Sequence, residues 1–247
     1  MAAATLAAGV ISSQAQVYSQ NIVGYVNQPI VNGFNMLANP LDASDSSGVN
    51  NNITNIINVA GGAYDGSTLF VWNGHGYTIY TLDSGQPTLV GNPTDSAAVV
   101  GPTITPGMSF YLNNNTGVAV TNTFVGMVHT DAAATGTQAV GAATNVIATG
   151  QLFYSSKLPI GGGLASVLQF PALSGALDGS TIFVPNITGS PAAVHGYTIY
   201  TVDSGQLPSG FGNATDSAEV PEPVIPVGGG LIINNNTGTA ANWIQAL

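Results

Sequence analysis

Gly76-Tyr-Thr-Ile-Tyr-Thr-Leu-Asp-Ser-Gly-Gln86 recurs as Gly196-Tyr-Thr-Ile-Tyr-Thr-Val-Asp-Ser-Gly-Gln206, with only Leu82 and Val202 differing. Outward from this block the match continues in the same order. Asp65-Gly-Ser-Thr-Leu-Phe-Val71 faces Asp178-Gly-Ser-Thr-Ile-Phe-Val184, Thr94-Asp-Ser-Ala97 faces Thr215-Asp-Ser-Ala218, and Asn113-Asn-Asn-Thr-Gly117 faces Asn234-Asn-Asn-Thr-Gly238. A weaker correspondence sets Asn35-Met-Leu-Ala38 against Asn145-Val-Ile-Ala148. A period of about 110–120 residues is too long for a solenoid unit and suits a whole domain. The chain therefore reads as an internal duplication. Residues 16–128 form copy 1, residues 129–138 a linker of mostly small residues, and residues 139–247 copy 2.

Within each copy the local patterns are those of strands. Thr68-Leu-Phe-Val-Trp72 and Tyr77-Thr-Ile-Tyr-Thr-Leu82 are β-branched and aromatic, and the short Asn73-Gly-His-Gly76 loop between them predicts a hairpin. Copy 2 lengthens this loop with Pro185–Val194, as a surface loop tolerates. Further strands are expected at Ile22–Val26, Phe34–Ala38, Met108–Leu112 and Thr123–Val128. Ile53-Thr-Asn-Ile-Ile-Asn-Val59 has apolar residues at helical spacing and predicts one short helix. Roughly six or seven short strands per copy, punctuated by Gly, Pro and Asn, predict an all-β chain of two tandem β-sandwich-like domains.

Charge is nearly absent. Only 5% of the 247 residues are charged, and the single basic side chain, Lys157, faces 11 carboxylates. Salt bridges cannot carry such a fold. Nucleic acid is excluded as a partner because phosphate neutralisation needs Lys and Arg, and anionic membrane surfaces are excluded for the same reason. No apolar run reaches the roughly 18 residues of a membrane-spanning helix. The absence of Cys removes thiol catalysis and thiolate metal sites. Residues 1–15 are apolar and small, with Ser13 and Ala15 placed for cleavage after Ala15, and read as the remnant of a secretory signal. The alternative is an N-terminal arm that needs a partner to cover it.

Gly24-Tyr-Val-Asn27, Gly33-Phe-Asn-Met-Leu-Ala-Asn-Pro-Leu41, Val71-Trp-Asn-Gly74, Pro106-Gly-Met-Ser-Phe110 and Thr123-Phe-Val-Gly126 resemble a β-domain in uncharacterised secreted proteins of environmental Gram-negative bacteria. The resemblance covers residues 20–128. It weakens in copy 2, where Ala148-Thr-Gly-Gln151 replaces Ala-Asn-Pro-Leu and Pro185 replaces the Trp. It implies secretion and a β-fold, and no particular reaction.

Residues able to do chemistry are few. His75 and His195 occupy equivalent loop positions, one per copy, too few to ligate zinc. Asp65, Asp83 and Asp95 and their copies Asp178, Asp203 and Asp216 stand beside Ser or Gly, where Asp organises turns by accepting backbone N–H groups; loop calcium is the alternative. Glu219 and Glu222 lie in Val220-Pro-Glu-Pro-Val224, the repeat counterpart of Val99–Gly107, and no second acidic cluster completes a glycosidase pair. No nucleophile elbow, phosphate loop or His-Glu-x-x-His is present. The expected reading is a non-enzyme without a cofactor. Asn-x-Thr triplets at Asn52, Asn114, Asn186, Asn213 and Asn235 follow from an Asn- and Thr-rich composition.

Soluble β-proteins guard their edge strands with charge, above all Lys, or by closure. This chain has one Lys. Unguarded, low-charge strands predict edges already paired, and pairing between subunits also explains the uncharged surface. The expectation is a secreted, extracellular or cell-surface structural protein whose partners are copies of itself. The candidate assembly strand runs through Val17, Tyr18, Ile22, Val23, Tyr25 and Val26. The alternative is a polysaccharide-binding module that stacks sugars on Trp72, Tyr77 and Tyr80.

Overall fold

The computed structural model describes residues 23–44, 50–131, 141–188 and 193–246. Residues 132–140, within which most of the expected linker falls, lie outside the described residues, as does the stretch 1–22. The fold is all-β and β-sandwich-like. In the first half the strands are β1 (Val23–Ile30), β2 (Gly33–Ala38), β3 (Thr68–Trp72), β4 (Tyr77–Leu82), β5 (Val90–Gly91), β6 (Ser109–Asn114) and β7 (Val120–Met127), with one short helix, α1 (Ile53–Ile56). In the second half they are β8 (Ala142–Ile147), β9 (Gly150–Tyr154), β10 (Gly162–Gly163), β11 (Thr181–Thr188), β12 (Ala193–Val202), β13 (Phe211–Asn213), β14 (Val224–Ile225), β15 (Leu231–Asn235) and β16 (Ala241–Ala246).

The two halves share one topology. A five-stranded sheet in the order β2-β6-β3-β4-β5 is matched by β9-β15-β11-β12-β13, and the ribbon β1-β7 by β8-β16. All these pairings are antiparallel. The hairpin of β3 and β4 forms in the expected register, with Trp72 opposite Tyr77. The strand order also corrects one correspondence. Asn35–Ala38 lies in β2, whereas Asn145–Ile147 lies in β8, the counterpart of β1. The true counterpart of β2 is β9, since Gly33 pairs with Asn114 as Gly150 pairs with Asn235.

Each half closes a core between its five-stranded sheet and its ribbon. In the first, Ile30 and Phe124 from the ribbon meet Leu69, Leu82, Phe110 and Leu112 from the sheet, with Ile53, Ile56 and Ile57 sealing one side. In the second, Ile147 and Trp243 meet Ile182, Val202, Leu231 and Ile233. Trp243 is fully buried and donates its indole N–H to the Leu168 carbonyl at 2.6 Å, as a buried indole requires. The repeated Asn-Asn-Asn-Thr-Gly has a physical role. The buried Asn114 amide donates to the Val118 carbonyl (2.8 Å) and the Ile30 carbonyl (3.4 Å), while its oxygen accepts from Thr116 N–H. Asn235 makes the same three contacts with Thr239, Ile147 and Thr237. One side chain thus closes a turn and staples ribbon to sheet.

Candidate functional site

Alternation along β1 sends Gly24, Val26, Gln28 and Ile30 inward and leaves Val23, Tyr25, Asn27 and Pro29 outside. Val23 is 68% exposed and Tyr25 77% exposed, and Val125, which is 57% exposed, stands directly opposite Tyr25 across the ladder. Neither β1 nor β7 carries a charged residue. Several other strand edges meet their own chain at one bridge each. Leu37 of β2 bridges Gly229, Tyr154 of β9 bridges Met108, Gly91 of β5 bridges Ala98, Gly212 of β13 bridges Glu219, and Met127 of β7 bridges Asp42. β1 has β7 on one side and, among the described residues, no strand on the other. Of the candidate assembly strand, Val23, Tyr25 and Val26 are therefore in β1, paired in their own chain along one edge; Val17, Tyr18 and Ile22 lie outside the described residues.

The aromatic candidates divide between two faces. Phe70 and Trp72 point away from the first core, to which Leu69 and Val71 contribute. Trp72 stacks on Phe153 of the second half (5.4 Å between centroids, 28° between planes) and donates its indole N–H to the Gln151 carbonyl at 3.0 Å. Tyr77 sits edge-on to Trp72 and Phe153 at 5.4 and 5.6 Å. Tyr80 lies on the opposite face, against the first core. Trp72, Tyr77 and Tyr80 therefore form no common platform. Burial raises the Tyr77 phenol, and burial plus its neighbour Tyr77 pushes Tyr197 up to about 12. The Tyr111 and Tyr197 hydroxyls hydrogen-bond to each other. They border an open cleft of about 370 Å³ with Phe34, Phe70 and Tyr77.

These contacts belong to a joint between the halves that repeats itself about a pseudo-twofold axis. Leu37 bridges Gly229, and their counterparts Tyr154 and Met108 bridge each other. Ala38 N–H donates to the Gly228 carbonyl at 2.8 Å, and their counterparts make the matching bond, Ser155 N–H to Gly107 O, at 2.8 Å. Met36 and Phe153 are counterparts, as are Tyr111 and Ile232, and the four form one buried cluster. The expectation of alternating strands misses this second buried face. Its sequence signal is the uninterrupted apolar run, as in Leu231-Ile-Ile233, where every residue is buried.

The polar candidates are engaged locally. Asp65 accepts Ser84 N–H at 2.7 Å and Asp178 accepts Ser204 N–H at 2.8 Å, with the serine hydroxyls completing each pair. Asp83 and Asp203 accept Gly85 and Gly205 N–H, and Asp95 and Asp216 accept Ala97 and Ala218 N–H. His75 and His195 are exposed. Glu222 accepts Ala165 N–H (2.7 Å), Ser166 N–H (2.9 Å) and the Ser166 hydroxyl. Burial works against its charge, but these three donors hold the carboxyl below its ordinary range. His129 is the polar residue that motif reading passes over. Its Nδ1 lies 3.4 Å from Asp42 and its Nε2 3.5 Å from Asp131, tying the end of β7 to the loop after β2. Asp42 also accepts from Ser44 and Asn51, and these bonds outweigh burial to lower its carboxyl. Both imidazole nitrogens face carboxylates, so the group clamps two segments.

No described helix is long and apolar enough to cross a membrane. Comparison with protein-family models, with curated proteins and with solved structures finds no match to this chain.

Proposed function

We propose that this chain is a secreted structural protein, a subunit of an extracellular or cell-surface filament or matrix that assembles by β-strand pairing between copies. The observation that carries this reading is the side of β1 that no described strand pairs: eight residues, uncharged, with Val23, Tyr25 and Val125 facing solvent beside it. An edge of this length without Lys or an inward-pointing charge is a template for another strand. Among the described residues its counterpart β8 is likewise paired on one side only, by β16, so each half presents an edge of the same kind. Secretion belongs to the same proposal. It rests on the small, apolar stretch 1–15 and on the resemblance carried by residues 20–128.

The test is light scattering and electron microscopy of the full chain. Wild type is expected to polymerise with rising concentration. V23K/Y25K is expected to remain monomeric while unfolding at the wild-type midpoint, because both side chains are exposed. A monodisperse wild-type monomer at high concentration overturns the reading.

A further inference from the structure

The joint between the halves is a surface that identical subunits would make. Each side supplies both members of every repeated contact: Leu37 with Gly229 and Tyr154 with Met108, Ala38 with Gly228 and Ser155 with Gly107. A second molecule of this chain presents the same surfaces, so nothing in the contacts themselves requires the partner half to come from the same chain. The connection also permits exchange. Asp131 N–H donates to the Ala142 carbonyl at 2.8 Å, so the chain leaves the first half and enters the second at one place. Residues 132–140 join Asp131 to Gly141, and a stretch of that length reaches about 30 Å when extended.

We propose that the halves exchange between molecules, the first half of one chain packing on the second half of the next. This rests on the reading that the chain assembles, and adds a joint distinct from the β1 edge. The pairing of unlike halves is favoured over like with like by contacts that break the symmetry, among them the Tyr111–Tyr197 hydroxyl bond, whose counterparts are Ile232 and Tyr77. Trp72 stacks on Phe153 and bonds to Gln151, whereas its counterpart Pro185 has neither ring stack nor N–H to give. Head-to-tail exchange of unlike halves yields a closed ring, the reciprocal dimer being the smallest, where the rotation between chains closes, and a linear polymer where it does not. The joint is chemically identical whether its halves come from one chain or two, so concentration decides. Exchange prevails where neighbouring chains are denser than the tethered half, whose effective concentration is of millimolar order for a short connection.

The chain has no cysteine, which makes a clean test possible. Met108 and Tyr154 are bridge partners across the joint. Cα atoms of such pairs lie about 4.5–5.5 Å apart, within the range a disulfide spans. M108C/Y154C oxidised as a dilute monomer keeps the β1 edge, so it is expected to assemble through that edge alone, into shorter material than wild type, and to lengthen once reduced. The same variant, assembled first and then oxidised, is expected to run as a covalent dimer or ladder on a non-reducing denaturing gel. Assembled material whose disulfides all lie within single chains overturns exchange and leaves assembly by edge pairing standing. Wild type that never assembles overturns both. Should the variant not fold, wild type answers instead. Chains of natural isotope content and 15N-labelled chains are co-assembled, and Tyr111 is photo-oxidatively coupled to Tyr197. Mixed-isotope pairs are then expected by mass spectrometry, and their absence overturns exchange.

Discussion

The turn that begins at Ile53 in the first half and at Leu164 in the second is capped from opposite directions, and this can be used as a quantitative test of their equivalence. Ile53 N–H donates to the Pro102 carbonyl, and Leu164 N–H donates to the Pro223 carbonyl. In the first half Asn52 caps the turn, its oxygen accepting Thr54 N–H at 3.1 Å and its amide donating to Gly101 O at 2.7 Å. In the second half Gly163 stands in place of Asn52, and Glu222, in place of Gly101, reaches across to cap Ala165 and Ser166. The two solutions exclude each other. A Cβ on Gly101 would lie 2.7 Å from the Asn52 oxygen, and one on Gly163 would lie 2.3 Å from the Glu222 carboxylate. E222G removes a cap and should cost about 1 kcal/mol, the partly exposed carboxylate keeping it near the ordinary cap value. G163N should cost about 1–3 kcal/mol, because the new side chain displaces Glu222. G163N/E222G recreates the arrangement of the first half and should return to within about 0.5 kcal/mol of wild type, where independent effects would add. Urea unfolding measures this, with Trp243 reporting on the core of the second half and Trp72 on the joint between the halves. A double variant as unstable as the sum of the singles refutes the equivalence. The Glu222 carboxyl is depressed in the fold, so its contribution is present above the ordinary carboxyl range and lost as pH falls through the folded value. The gap between wild type and E222G should therefore close in acid.

F153A removes a ring that is 3% exposed and is contacted by Trp72, Tyr77 and Tyr111, and should cost about 3–5 kcal/mol in urea unfolding. A loss below about 1 kcal/mol would mean the aromatic cluster does not hold the halves together. Asp42 is likewise depressed, its bonds from Ser44, Asn51 and His129 outweighing burial. Wild type should exceed D42N in stability near neutral pH, with the difference shrinking as pH falls from about 5 toward 2. A difference that grows in acid would contradict the clamp.

The repeat made much of the fold legible, because the hairpins and Asn-rich turns are local. β-branched alternation from Thr68 to Leu82 and the short loop between specify register without long-range information. The joint between the halves was less visible for a physical reason. Its central ring, Phe153, lies in Gly150-Gln-Leu-Phe-Tyr154, which shares only its first residue with the matching Gly33-Phe-Asn-Met-Leu37. Packing there needs volume and shape, and Met and Phe both satisfy it, so the letters drift while the contact persists. That drift also drew Asn35 into correspondence with Asn145, one strand out of place. The capping role of Glu222 was hidden because its partners Ala165 and Ser166 lie far away in sequence. Tyr80 could be assigned to a face only once its strand was placed in the sheet.

The pseudo-symmetric joint has a further consequence. In a dimer of identical chains any change at the contact is made twice, so a bulky residue must suit both sides of the axis at once. Within one chain that restriction is lifted. Trp72 stacks on Phe153 without a second tryptophan being needed at the matching position of the other half, which is Pro185. Each side of the joint can change alone, and the axis survives in the backbone bridges after the side chains have ceased to obey it.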